Sequence, residues 1–200
     1  MALLVTLLAG CTLGPSAQAS PAADPSVWTE LAQVRTLEAR FVQVQHRAIL
    51  KTPLESSGRV TFTRPSSLSW VVERPAASTF SLAGTVATMD MPDVGLHEVF
   101  DLAAVPDASR LATSLMVWMQ ADPAAVARDF DTTWRQSPPG VVLRPKDSRL
   151  ASLVTTLTLD LTPSPWRVQA VHYVEPDGDR VDIRFVSVVL DGTALPDPAP

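Results

Sequence analysis

The sequence predicts a mainly β, α+β fold: antiparallel strands, one helix ahead of them and a helical insert between two strand blocks. Three observations carry this. Short segments alternate apolar and polar residues with the period of two that marks half-buried strands. Prolines outnumber glycines eighteen to eight, and many stand at strand ends, where they stiffen corners. Apolar residues step by three and four only ahead of the strands and in the middle of the chain, the spacing of amphipathic helices.

The elements follow in order. Ser26 reads as a helix N-cap with Glu30 in the first turn. Leu31, Val34, Leu37, Phe41 and Val44 then form one apolar stripe, predicting a helix that runs to about Phe41–Gln45. Val60 and Phe62 alternate with Arg59, Thr61 and Thr63. Leu68, Trp70 and Val72 alternate with Ser69, Val71 and Glu73. Phe80 and Leu82 make a third strand, and Thr85 to Met89 a fourth. Pro106-Asp107 opens the insert, a helix with Leu111, Leu115, Trp118 and Met119 on one face. Asp122-Pro123 starts a short helix through Arg128, since a capping aspartate followed by proline is a strong start signal. Strands return at 130–136, 140–145, 152–161, 166–175 and 180–190, with Asp177-Gly178 as a hairpin turn. Leu153, Leu157, Leu159 and Leu161 share one face, as do Val181, Ile183 and Phe185. The tail 192–200 is Pro-rich and expected to be loose.

Two hundred residues with 46% hydrophobic and 18% charged side chains suit one globular domain. A net charge of −5 argues against nucleic acid and against electrostatic attachment to anionic lipid. No internal repeat or second domain is visible. The expected organisation is an export signal at 1–19, one domain at 20–191 and the tail.

Residues 2–13 are apolar and uncharged but too short for a stable membrane anchor. Two processing sites compete. Ala17-Gln18-Ala19 before Ser20 is a signal-peptidase site, whereas Leu8-Ala9-Gly10-Cys11 is a lipobox in which Cys11 would be acylated. The first is favoured, because Ala2 to Leu8 is a stunted apolar core for a lipoprotein signal. Both lack a basic residue after Met1, which an upstream start would supply. Cys11 is the only cysteine, so an internal disulfide and a thiolate metal site are both ruled out.

The sequence carries little recognisable catalytic chemistry. His46, His97 and His172 lie in separate segments without metal-ligand spacing, so no metal is expected. A G-x-S-x-G elbow and a Gly-rich phosphate loop are both missing. Asp177-Gly178-Asp179 lacks the further oxygen ligands of a calcium loop and reads as a turn. Asp129 and Asp131 have no general acid placed opposite them. Neither an enzyme nor a cofactor is expected. Trp134 and Trp166 suit core packing, whereas Trp70, after an Arg-Pro pair, and Trp118, on the insert, have a stronger functional case.

The order F-x-Q at Phe41–Gln43, S-G-x-V-x-F-x-R-P at Ser57–Pro65, L-x-W at Leu68–Trp70 and then Pro75 resembles the periplasmic outer-membrane lipoprotein carrier family, the LolA-like proteins. The stretch from Leu157 through the Asp177-Gly178 turn to Phe185 is similar to that family's C-terminal strand pair. The chain resembles a divergent member, since SLAGTVATMDMP stands where the family has an aromatic-rich strand and ALPDPAP replaces its long extension. The resemblance implies an open antiparallel half-barrel, with the helices as a lid over an apolar cavity that holds the acyl chains of a client. It implies cavity residues Phe62, Leu68, Trp70, Val72, Leu157, Leu159, Ile183 and Phe185. It also implies lid residues Phe41, Leu115 and Trp118, and Arg64 as the arginine that holds the lid shut. The expected partners are an acylated lipoprotein or another lipid, an inner-membrane donor and an outer-membrane acceptor, and the protein is expected to be a periplasmic monomer. If Cys11 is acylated, the alternative is an anchored outer-membrane lipoprotein that accepts or senses lipid.

Overall fold

Antiparallel pairing dominates because almost every connection is too short for a crossover. The structure, a computed structural model, describes residues 25–104 and 119–196. A helix α1 (Pro25–Gln33) leads into β1 (Thr36–His46), β2 (Leu54–Thr63), β3 (Ser67–Arg74), β4 (Ser78–Ala83), β5 (Val86–Met91) and β6 (Leu96–Asp101). After residues 105–118 come α2 (Pro123–Asp129), β7 (Phe130–Gln136) and β8 (Pro139–Pro145). The chain closes with α3 (Ser148–Ala151), β9 (Thr156–Thr162), β10 (Arg167–Val174), β11 (Arg180–Leu190) and β12 (Thr193–Ala194). The strands form one sheet in the order β6-β5-β4-β3-β2-β1-β11-β10-β9-β8-β7, with β12 beside β11. The sheet is open: β6 and β7 do not meet. The expected half-barrel architecture is therefore present.

Most predicted strands lie within a residue or two of the observed ones, but four differences matter. Residues 36–46 are a strand, not the second half of the first helix. The stripe Leu31–Val44 also fits a strand from residue 36 on, because Leu37, Ala39 and Phe41 alternate with Glu38 and Arg40. As a strand, this segment hydrogen-bonds to β2 on one side and β11 on the other, which satisfies its backbone where a helix would leave both neighbours unpaired. Phe41 accordingly lies in the sheet rather than on a covering helix. Leu153 follows the short α3 and stands outside β9, because Asp147 caps a helical turn there by accepting from the Arg149 and Leu150 N–H groups. Strand β6 adds a strand after the fourth assigned segment, over residues the alternation leaves unassigned. Residues 193–194, expected to be loose, pair with β11. The helix expected from Pro106, with Leu115 and Trp118, and the leader with Cys11 lie outside the described residues.

Register places the core. Leu82, Leu68, Phe62, Leu37 and Leu190 form one cross-strand row, and Phe80, Trp70, Val60 and Ala39 the next. Val72, Gly58, Phe41 and Phe185 follow, then Gln43, Ile183, Val171, Leu159 and Val141. These rows share one face because side-chain direction alternates along each strand, and the irregularity between the Glu38–Val189 and Arg40–Val186 pairs keeps Leu190 on the same side as Phe185. Helices α1, α2 and α3 lie on that face, contributing Val27, Val126 and Leu150 to the core cluster. The other face is polar, with Arg59 and Arg40 on Glu73, and His172 between Asp160 and Asp182.

Candidate functional site

The site begins with an aromatic floor. Trp70 on β3 stacks on Phe41 of β1 with ring centroids 4.3 Å apart, and meets Phe185 of β11 edge-on at 6.3 Å. Gly58 makes the stacking possible. It pairs with both Phe41 and Val72, and a Cβ there would sit 1.8 Å from the Val71 carbonyl oxygen and 3.0 Å from the Phe41 ring. The S-G of the motif is therefore a steric requirement of the floor.

Above this floor lies a hollow of about 420 Å³, within the roughly 300–1,000 Å³ range of small-molecule sites. Trp70, Phe185, Ile183 and Leu157 line it together with Val171 and Val154, and Leu153, Tyr173 and Glu175 complete its lining. Burial raises the Tyr173 phenol pKa above its ordinary value, so the ring stays neutral there. All eight predicted cavity residues lie on this one face of the sheet. Four of them line the hollow. Phe62 and Phe185 line a second space of about 40 Å³ beneath α1. Leu68 and Leu159 are core, and Val72 packs against it.

The predicted latch residue has a defined setting. Arg64 ends the β2 side of the β2–β3 turn, and its Nε donates to the Val34 carbonyl at 2.6 Å. Nη2 donates to Leu31 at 3.0 Å and Nη1 to the Gln120 carbonyl at 2.7 Å. One guanidinium thus ties the C-terminal turn of α1 to residue 120, where the insert rejoins the described chain. The carbonyls at a helix C-terminus carry partial negative charge and lack intrahelical donors, which suits a cation. Burial lowers the Arg64 pKa somewhat and Asp191 works against that, but an arginine remains charged.

Sequence reasoning missed the hollow's polar rim. Arg47, just after β1, bridges Glu175 at 2.7 Å and Asp179 at 3.2 Å. Both hydrogen bonds raise its pKa further above the ordinary value. Asp179 also accepts from the Ala48 N–H at 2.7 Å, and this bond leads the causes that lower its pKa. Glu175, Asp177 and Asp179 bring their carboxylate oxygens within 4.8 Å of one another. Arg47 bridges two of them, which makes the turn an ion-paired clasp. No local signal joins residues 128 positions apart. Val171 and Tyr173 were missed for another reason: a bulge between Val168 and Ala170 shifts the β10 alternation.

Residues 32–197 match the family described as "Outer membrane lipoprotein carrier protein LolA". No curated protein matches the sequence. Among solved structures, the chain is similar to MucB at 17% identity and a TM-score of 0.45, covering 90% of this chain and 62% of that one. A LolA superfamily protein from Nitrosomonas europaea is 9% identical, with a TM-score of 0.41 over 86% of this chain and 94% of the other. LprF from Mycobacterium bovis is 12% identical, with a TM-score of 0.35 over 88% and 98%.

Proposed function

Because this chain belongs to the outer membrane lipoprotein carrier LolA family, we propose that it is a non-enzymatic periplasmic carrier that shields acyl chains in the hollow above Trp70. Membership supports a lipoprotein-binding, carrier-like role in the envelope. The client, the direction toward the outer membrane and the donor and acceptor at either end belong to our reading. The observation that carries it is the hollow: an aromatic-floored apolar space on the helix-bearing face of an open sheet.

The energetics agree with a shuttle. Each methylene taken from water contributes about 0.8 kcal/mol, so one long acyl chain gains on the order of 10 kcal/mol. Binding that tight opposes delivery. A closed state held by Arg64 subtracts from the net affinity, since opening costs its three hydrogen bonds before a chain can enter. Leu115 and Trp118, expected on the lid, lie outside the described residues, and Phe41 lies in the sheet, stacked on Trp70. A second reading rests on the lipobox: acylation of Cys11 would make the protein an anchored acceptor or sensor.

Native mass spectrometry of protein isolated from the envelope without detergent tests the carrier reading. We expect a non-covalent acylated adduct on a chain starting at Ser20. Leu153→Glu, at a 42% exposed position on the hollow wall, should lose the adduct while keeping its Tm. A bare wild-type chain that also fails to take up a fluorescent fatty acid would sink the carrier reading. Covalent acyl mass on a chain starting at Cys11 would replace it with the anchored one.

A further inference from the structure

Among the described residues the exposed large apolar side chains fall into two groups. Val86, Val94, Val99 and Phe100 lie along the β5–β6 edge. The other four lie on or beside the β1–β2 connection and on the hollow wall. Ile49 is 91% exposed and Leu50 41%, both on the β1–β2 connection, with Leu54 at 50% at the start of β2 and Leu153 on the hollow wall.

We propose that the 47–53 hairpin tip is a membrane-contact element, in which Ile49 and Leu50 enter the interface of a lipid bilayer and hold the mouth of the hollow against it. The proposal deepens the carrier reading and rests on it for its purpose, though its geometry stands alone.

Three observations converge. The tip is a built structure: Arg47 is clasped by Glu175 and Asp179, the Ala48 N–H donates to Asp179 at 2.7 Å, and the Leu50 N–H closes a turn on the Arg47 carbonyl at 2.9 Å. This clasp presents Ile49 to solvent in a fixed setting, although an apolar side chain left free would gain by folding back. The tip also continues the hollow. Leu54, Gln45, Val181, Tyr173 and Leu157 form one cross-strand row on the hollow's face, and Tyr173, Leu157 and Glu175 line it. An acyl chain leaving past Leu153 would meet the surface that the tip touches.

Third, the local chemistry suits lipid better than a protein. Residues 47–53 read RAILKTP, with two cations, two adjacent aliphatics and no carboxylate. Arg47 is held in the clasp, so the exposed Lys51 beside the two aliphatics is the cation that can reach the headgroups, an arrangement that suits interfacial insertion. The acids of the neighbouring turn are partly engaged by Arg47 and Ala48. A protruding tip of two side chains offers far less than the roughly 800 Å² per partner of a stable protein interface. Two aliphatic side chains leaving water suffice for a partition gain on the order of a hundredfold. That strength gives reversible contact, which a shuttle requires.

The test uses the protein expressed with Cys11→Ala, which prevents acylation, and Ile49→Cys, labelled at residue 49 with an environment-sensitive fluorophore. It is mixed with protein-free vesicles of phosphatidylethanolamine and phosphatidylglycerol, and separately with phosphatidylcholine vesicles. We expect a blue shift and intensity gain with both, and none from a label at Val99→Cys on the far edge. Ile49→Asp with Leu50→Asp should cut vesicle co-sedimentation at least tenfold. It should leave the Tm and fatty-acid uptake unchanged, since both side chains are exposed. No response at residue 49, equal responses at 49 and 99, or full sedimentation of the double variant would each overturn the proposal. So would a shift that needs membrane proteins in the vesicles, which would assign the tip to a protein partner. Failure of fatty-acid uptake by the unsubstituted chain would strike the carrier reading and leave the tip result to be judged by itself.

Discussion

Arg64 is one side chain that joins two distant segments. Its planar fork reaches Leu31, Val34 and Gln120 at once, which a lysine, with one compact ammonium, would not reproduce. It also stands 5.9 Å from the Phe62 ring centroid, adding a modest cation–π attraction. In Arg64→Leu three carbonyls lose their donor, at a cost of about 1–3 kcal/mol in stability. If those bonds hold a closed state, the variant should nevertheless bind a fluorescent fatty acid more tightly, by up to about tenfold, and release it more slowly to vesicles. Unchanged or weaker binding by folded Arg64→Leu would remove the latch role and leave Arg64 a structural tie.

At the scale of an element, β2 owes its place to a missing side chain. Gly58 sits at a register shift against β3, where Ser57 pairs with Arg74 and Gly58 with Val72. The shift brings the Val71 carbonyl over the Gly58 Cα, and the same opening receives the Phe41 ring. Gly58→Val must push β3 away and tilt Phe41, an overpacking cost of about 3 kcal/mol or more. Thermal unfolding followed by circular dichroism should show a Tm lower by roughly 10 °C. A Tm within a degree or two of the parent would mean that β2 and β3 separate more easily than their geometry indicates.

The whole molecule is an open sheet whose central strands, β1 and β11, are pinned at both ends by carboxylates. At one end Asp191 accepts from the Arg35 and Thr36 N–H groups at 2.9 and 2.8 Å, closing the α1–β1 junction. At the other, Asp179 holds the β1–β2 tip. The Thr36 backbone bond leads the causes that depress Asp191, as the Ala48 bond does for Asp179. Burial raises the Asp182 pKa, but His172 and Arg180 outweigh it and the net shift is downward. A carboxylate whose folded pKa is depressed contributes stability that is complete above its unfolded value and lost as pH falls through the folded one. With an ordinary value of 3.8, these groups should leave Tm flat from neutral pH to about pH 5 and lower it below about pH 4. Asp191→Asn should lower Tm at neutral pH and flatten the acid limb. Matching limbs in parent and variant would show that this end is pinned by something else.

The architecture was legible from about residue 59 to 91 and, apart from the turn at 148–155, from 123 to 190, because local physics decides those segments. Alternation at Val60-Phe62 and Leu68-Trp70-Val72 commits a face, prolines stop the strands, and Asp122 caps α2 by accepting from Ala124 and Ala125 N–H groups. That is why the eight expected cavity residues share one side. Three features needed the folded chain. Residues 36–46 satisfy a helical stripe and a strand alternation equally, and only the ladders with β2 and β11 choose between them. Which of the eight face open space and which are packed solid depends on where the helices cover the sheet: Leu159 is fully buried while Trp70 lines the hollow. The Arg47 clasp unites residues 47, 175 and 179, whose separation leaves no trace in any window of sequence. Pattern determines local conformation and facing because both repeat within a few residues. Space, and the ion pairs that border it, are decided by distant segments meeting.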